Sequence, residues 1–179
     1  FHLYLRRGGT GALARMFTAN PDGSGLYLLV DRMASHYGWR DPEHLLCWSR
    51  VPGTGIGGLK TDHRYVLFTD RTNRIEIVGR ETLTPTLWSD GHCTYSPDRR
   101  WIVTDTYPDK ADQKQTLILY DPARDLRINL GRFPALERGA GELRCDLHPR
   151  WSRDGRQVCF DSTHEGRRGI YVLEVGEIT

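Results

Sequence analysis

Cys145-Asp-Leu-His-Pro-Arg-Trp-Ser-Arg-Asp-Gly-Arg-Gln-Val-Cys-Phe-Asp-Ser-Thr-His164 decides the fold. It contains a short strand, an Asp-Gly turn and a second strand. Its skeleton is His148, Trp151, Ser152 and Asp154. The same skeleton stands earlier as His92, Tyr95, Ser96 and Asp98, and a reduced copy as His36, Trp39 and Asp41. Successive histidines are 56 residues apart. A long, constant period is the mark of a repeated supersecondary unit, and each residue has to be read within it.

Outward from this stretch, the chain alternates short apolar runs with turn chemistry. Strands are predicted over Ala14–Thr18, Leu26–Val30, Leu45–Ser49, Arg64–Phe68, Ile75–Val78, Trp101–Asp105, Thr116–Tyr120, Leu126–Leu130 and Gly169–Val175. Pro21-Asp-Gly-Ser-Gly25 joins the first two as a hairpin, because Pro presets φ and Gly accepts φ > 0. Trp39–His44 and Asp121–Asp125 are read as turns, and 131–143 as a Gly/Pro connector. His44 and His63 are placed in solvated turns. No 3.6-residue apolar stripe appears, and two glycines argue against a helix over Pro134–Leu143. Asp98, Asp154 and Asp161 are read as turn and cap residues bonding backbone.

The expectation is an all-β chain, a β-propeller with blades of four antiparallel strands, since about 40–50 residues per repeat is the propeller period. A single propeller domain over 1–179 divides into a partial blade (1–34) and three blades (35–90, 91–146 and 147–179). That is about half of a ring of six to eight blades. An open half-ring leaves edges unpaired. The chain is therefore expected to be a piece of a longer one, completed by missing blades or by another copy of itself.

Composition excludes several classes. The 179 residues carry a formal charge of +2, with basic and acidic residues interspersed, so no nucleic-acid partner is implied. No apolar run approaches the ~20 residues needed to span a bilayer, so no membrane partner is expected. Val51–Gly58 is glycine-rich but lacks the Gly-Lys-Ser/Thr ending of a phosphate loop. No Gly-x-Ser-x-Gly marks a serine hydrolase. Cys47 and Cys159 read as small buried hydrophobes. Cys93 and Cys145 each lie within three residues of a repeat histidine.

Equivalent positions of successive blades face a common axis, so His36, His92 and His148 are predicted to converge as metal ligands. Cys145 is a further candidate, whose thiolate would favour zinc. Zinc or manganese is the expected ion. Arg32, Arg40 and Arg144 flank these histidines and are candidates for gripping carboxylates bidentately. Tyr107 and His164 lie at corresponding strand ends and are candidate catalytic groups.

Trp-Ser-x-Asp-Gly followed by an apolar strand resembles the repeats of TolB-type propellers. Ser35–His44, Asp90–Tyr95, Thr104–Lys110, Arg144–Trp151 and Asp161–His164 more specifically resemble the propeller polysaccharide lyases of the oligogalacturonate lyase and ulvan lyase kinds. The resemblance implies a seven-bladed ring, a cleft at one mouth of its channel and a divalent metal held mainly by histidines of successive blades. It also implies an acidic, uronate-containing polysaccharide or oligosaccharide as partner, cleaved by β-elimination. Arg32, Tyr107, Arg144 and His164 would then be catalytic, and His36, His92, Cys145 and His148 metal-binding. In such lyases part of the acid–base machinery sits in N-terminal blades that this sequence does not include. The alternative is a non-catalytic TolB-like propeller serving as a protein-interaction scaffold. A scaffold needs the Trp and Asp-Gly turns but not a histidine in every repeat.

Overall fold

The computed structural model describes residues 2–7, 11–31, 33–51, 63–79, 86–135 and 144–178, all strand, turn or irregular backbone. They divide into two compact units, Phe1–Leu83 and Thr84–Thr179.

In the first unit, β1 (His2–Arg7), β2 (Gly11–Thr18) and β3 (Tyr27–Val30) form an antiparallel three-stranded meander. A second meander has four strands, β4 (Ala34–Asp41), β5 (His44–Arg50), β6 (His63–Thr69) and β7 (Ile75–Ile77). Met16, Val30, Ala34, Leu45, Cys47, Val66 and Phe68, contributed by both meanders, form one buried cluster. Side chains that alternate along each strand can pack against the neighbouring sheet from one face only. Trp48 and Tyr65, cross-strand neighbours, meet edge to face with centroids 5.1 Å apart.

The second unit has a four-stranded meander, β8 (Thr94–Tyr95), β9 (Ile102–Asp105), β10 (Lys114–Asp121) and β11 (Leu126–Pro134). It is followed by a three-stranded one, β12 (Arg150–Trp151), β13 (Gln157–Ser162) and β14 (Gly169–Glu174). Val103, Leu117, Leu147, Val158, Phe160 and Val175 form its core. Burying such aliphatic side chains contributes about 1.5–3 kcal/mol each. Trp151 packs against this core and donates its indole N–H to the Thr94 carbonyl at 3.3 Å.

The repeat is legible in its turns. Ser96 donates to Asp98 at 2.5 Å and accepts the Trp101 amide at 3.0 Å; Ser152 does the same with Asp154 and the Gln157 amide at the same distances. Each aspartate also accepts an amide two residues on, from Arg100 and Arg156. Asp98 and Asp154 are thus turn residues, as read. These hydrogen bonds hold both carboxyls below the usual carboxylate range.

Local readings needed correction in three places. β4 runs on to Asp41, so only Pro42 and Glu43 make the turn, and Trp39 is a strand residue paired with Leu45. The connector begins later than expected, because β11 continues through Pro134. Pro134 pairs with Lys114 on an edge strand, where a missing N–H costs no ladder bond. His44 and His63 are strand residues, and His44 Nδ1 lies 2.7 Å from Asp41 Oδ1. The glycine-rich 52–58 and most of Pro134–Leu143 lie outside the described residues.

Candidate metal centre

The site is built from the second unit. β9 is a central strand with all four residues buried, and it ends in Asp105, 1 % exposed. A carboxylate buried so deeply must be met by donors. His92 supplies two: its amide lies 2.7 Å from Asp105 Oδ1, and its Nδ1 lies 3.0 and 2.9 Å from the two oxygens. The His148 amide donates to Oδ2 at 3.1 Å. One carboxylate thus joins the segments leading into two successive sheets.

Gly91 makes this approach possible. A Cβ there would lie 1.9 Å from the Asp105 carbonyl oxygen. His148 adopts φ +42°, in the left-handed region that side chains other than Gly enter at a cost of about 1–2 kcal/mol. The outcome is that the imidazoles of His92 and His148 face each other with centroids 3.7 Å apart.

Asp146 completes the group. Ligand atoms of His92, Asp146 and His148 all lie within 4.8 Å of one another. Asp146 accepts from Arg144 Nε at 2.8 Å and from the buried Gln115 amide at 3.2 Å. Asp105 occupies Nδ1 of His92; a carboxylate behind a ligating imidazole is the usual support of a metal-bound histidine. Two imidazoles and a carboxylate suit a first-row divalent ion.

Tyr107 and Arg144 lie beside this group. The Arg144 guanidinium stands 4.9 Å over the Tyr107 ring. A shallow recess is lined by Gly91, His92, Asp105, Thr106, Tyr107 and Asp146. Burial foremost, and then the charge of Asp90, push the Tyr107 phenol up, so it keeps its proton at neutral pH. The hydrogen bond to Asp146 holds Arg144 charged.

The remaining candidates are distributed differently. Cys145 is buried and unbridged, and burial pushes its thiol up; the neighbouring Asp146 brings a carboxylate to the two imidazoles. Cys47 is fully buried, as read, but Cys159 is half-buried. His36 lies on β4 of the first unit, with Nδ1 3.3 Å from Ser35 Oγ. Arg40 pairs with Asp41 at 2.9 Å. His164 belongs to an aromatic group, with ring centroids 4.1 Å from Tyr171 and 5.3 Å from Phe133. Arg32 lies outside the described residues.

Sequence reasoning missed Asp146, Asp105 and Gln115. The signal for the first two was in the repeat: Asp-x-His recurs at 90–92 and 146–148, and Asp105 and Asp161 are separated by the same period as the histidines. The two copies have nevertheless diverged. Asp161 pairs with Arg150 Nη2 at 2.9 Å, whereas Asp105 pairs with an imidazole. Nothing in the pattern around Gln115 distinguishes it from a solvated strand residue.

No family profile matches the chain, and no curated protein matches it by sequence. Among solved structures it is similar to TolB from Acinetobacter baumannii, with a TM-score of 0.66 at 16% identity over 93% of this chain and 36% of that one. It is similar to the same degree, TM-score 0.66, to an oligogalacturonate lyase from Vibrio parahaemolyticus, at 20% identity over 91% of this chain and 42% of that one. The chain spans less than half the length of either protein. At these identities the likeness is one of fold, and the fold is that of part of a β-propeller.

Proposed function

We propose that the second unit carries a divalent-metal centre that binds uronate-containing oligosaccharides or polysaccharides and takes part in their cleavage by β-elimination. The observation that carries this reading is the convergence of His92, His148 and Asp146 beside Tyr107 and Arg144. A scaffold has no use for two facing imidazoles held by a buried carboxylate. The likeness in fold to an oligogalacturonate lyase agrees with it.

In β-elimination a general base takes the C5 proton beside the carboxylate, the C5–H electron pair forms a C4=C5 double bond, the C4–O4 bond breaks and O4 takes up a proton from a general acid. A bound zinc or manganese ion would supply Lewis acidity toward the substrate carboxylate. Arg144, kept charged by Asp146, pairs with a carboxylate oxygen and orients the sugar. Tyr107, kept protonated by its surroundings, is suited to give its proton to the leaving O4. His92 and His148, with Asp146, hold the ion.

Calorimetric titration of the protein with Mn²⁺ or Zn²⁺ tests the centre. One ion per chain is expected, lost in His92→Ala and His148→Ala. Release of unsaturated uronate products from pectic, ulvan and glucuronan substrates, assayed on the full-length protein, tests the chemistry. Absence of both would favour the second reading, a TolB-like interaction scaffold, which the equal likeness to TolB supports.

A further inference from the structure

Asp105 has a role that neither the repeat nor the comparisons assign. We infer that Asp105 is the positioning residue of the metal centre: it fixes His92 as the Nδ1–H tautomer, which places the lone pair of the neutral ring on Nε2, and it holds His148 in its left-handed backbone conformation. The inference rests on the proposed metal reading for its consequence, but the tautomer itself does not depend on a metal.

The geometry is specific. Both Asp105 oxygens are used, Oδ1 by the His92 amide and Nδ1, Oδ2 by His92 Nδ1 and the His148 amide. An ionised carboxylate only accepts hydrogen bonds, so the ring nitrogen facing it must carry a proton, and in the neutral ring the lone pair then lies on Nε2. The two acceptor oxygens also link residues 92 and 148, which are far apart in sequence, to one rigid point on β9. The side chain is 2 % exposed, so water does not compete for these contacts.

The repeat contains its own control. Asp161 holds the equivalent place one period later and is also buried, at 8 %, but its carboxylate is taken by Arg150. Burial of an aspartate at the end of the strand is therefore common to both copies. The imidazole contact belongs to Asp105.

Asn at position 105 keeps the shape but replaces one acceptor oxygen with a donor. At least one of the N–H groups now facing the carboxylate must then lose its partner. In Asp105→Asn, affinity for Mn²⁺ or Zn²⁺ should fall about 10–100-fold, the usual effect of removing the support behind a ligating histidine. Asp161→Asn should leave it within about twofold, since its carboxylate touches none of the ligands. Long-range ¹H–¹⁵N spectra of the metal-free protein read the tautomer directly. Nδ1–H is expected for neutral His92 in wild type, with Nε2–H gaining in the variant.

An Nε2–H tautomer of His92 in wild type would overturn the inference, and that reading stands even if Asp105→Asn does not fold. Unchanged metal affinity in a folded Asp105→Asn protein would overturn it as well. A wild-type protein that binds neither ion but shows the Nδ1–H tautomer defeats the proposed metal function and leaves the positioning role intact.

Discussion

His92 and His148 face each other with ring centroids 3.7 Å apart and planes inclined at 36°, although a full repeat separates them in sequence. Two histidines of one strand would diverge with the pleat. These two converge because each stands just ahead of the first strand of its sheet, and the same carboxylate holds both amides. The pair is a product of the repeat, locked by one residue.

Gly91 is the tightest point of that arrangement. Gly91→Ala would drive a methyl into the Asp105 carbonyl. The expected result is a loss of about 2 kcal/mol or more in urea unfolding, typical of overpacking against backbone, with metal binding weakened in parallel. Unchanged stability would mean that the backbone at 91 has room to move.

Arg99 and Gly155 occupy the same turn position in successive copies, at φ +65° and +73°. Only glycine takes this conformation without strain. Gly155→Ala should therefore cost about 1 kcal/mol. Arg99→Gly should raise stability by up to about 1 kcal/mol, reduced by glycine's greater freedom in the unfolded chain. Urea midpoints of the two variants should move in opposite directions.

Acid should unfold the protein partly through its turns. Asp98 and Asp154 are held below the ordinary 3.8, above all by Ser96 and Ser152. Asp41 is also held low: burial opposes this, but hydrogen bonds from Arg40, His44 and the Glu43 amide outweigh it. A carboxyl with a depressed folded pKa adds stability that is complete above its unfolded value and is lost as pH falls toward the folded one. Stability should decline below about pH 4. In the Ser96→Ala, Ser152→Ala double variant the decline should be shallower. An unaltered acid slope would exclude these turns as its source.

Tyr107→Phe removes the proposed proton donor and keeps the ring under Arg144. On the full-length protein the rate of elimination should fall about 10²–10⁴-fold, with metal affinity unchanged. A loss of metal binding instead would make Tyr107 part of the ligand shell rather than the acid.

Much of the architecture could be read from one dimension. Alternating apolar residues and Asp-Gly turns specify strands and hairpins locally, and the constant spacing of His, Trp or Tyr, Ser and Asp specifies that the unit repeats. The Ser–Asp turn network follows from residues within five positions of one another, so Asp98 and Asp154 were legible. His92 and His148 were legible as a pair because a repeated unit places equivalent residues equivalently.

Which side chain joins the two imidazoles was decided only in three dimensions. Cys145 and Asp146 are adjacent in irregular backbone ahead of β12, and only packing buries the first and sets the carboxylate of the second beside the imidazoles; sequence spacing does not say which. Gln115 and Asp105 act across sheets, through burial that appears only when the strands are packed. Asp105 and Asp161 are indistinguishable by position in the repeat. Their partners differ, an imidazole for one and a guanidinium for the other, because each carboxylate's environment is set by the neighbouring segments folded against it.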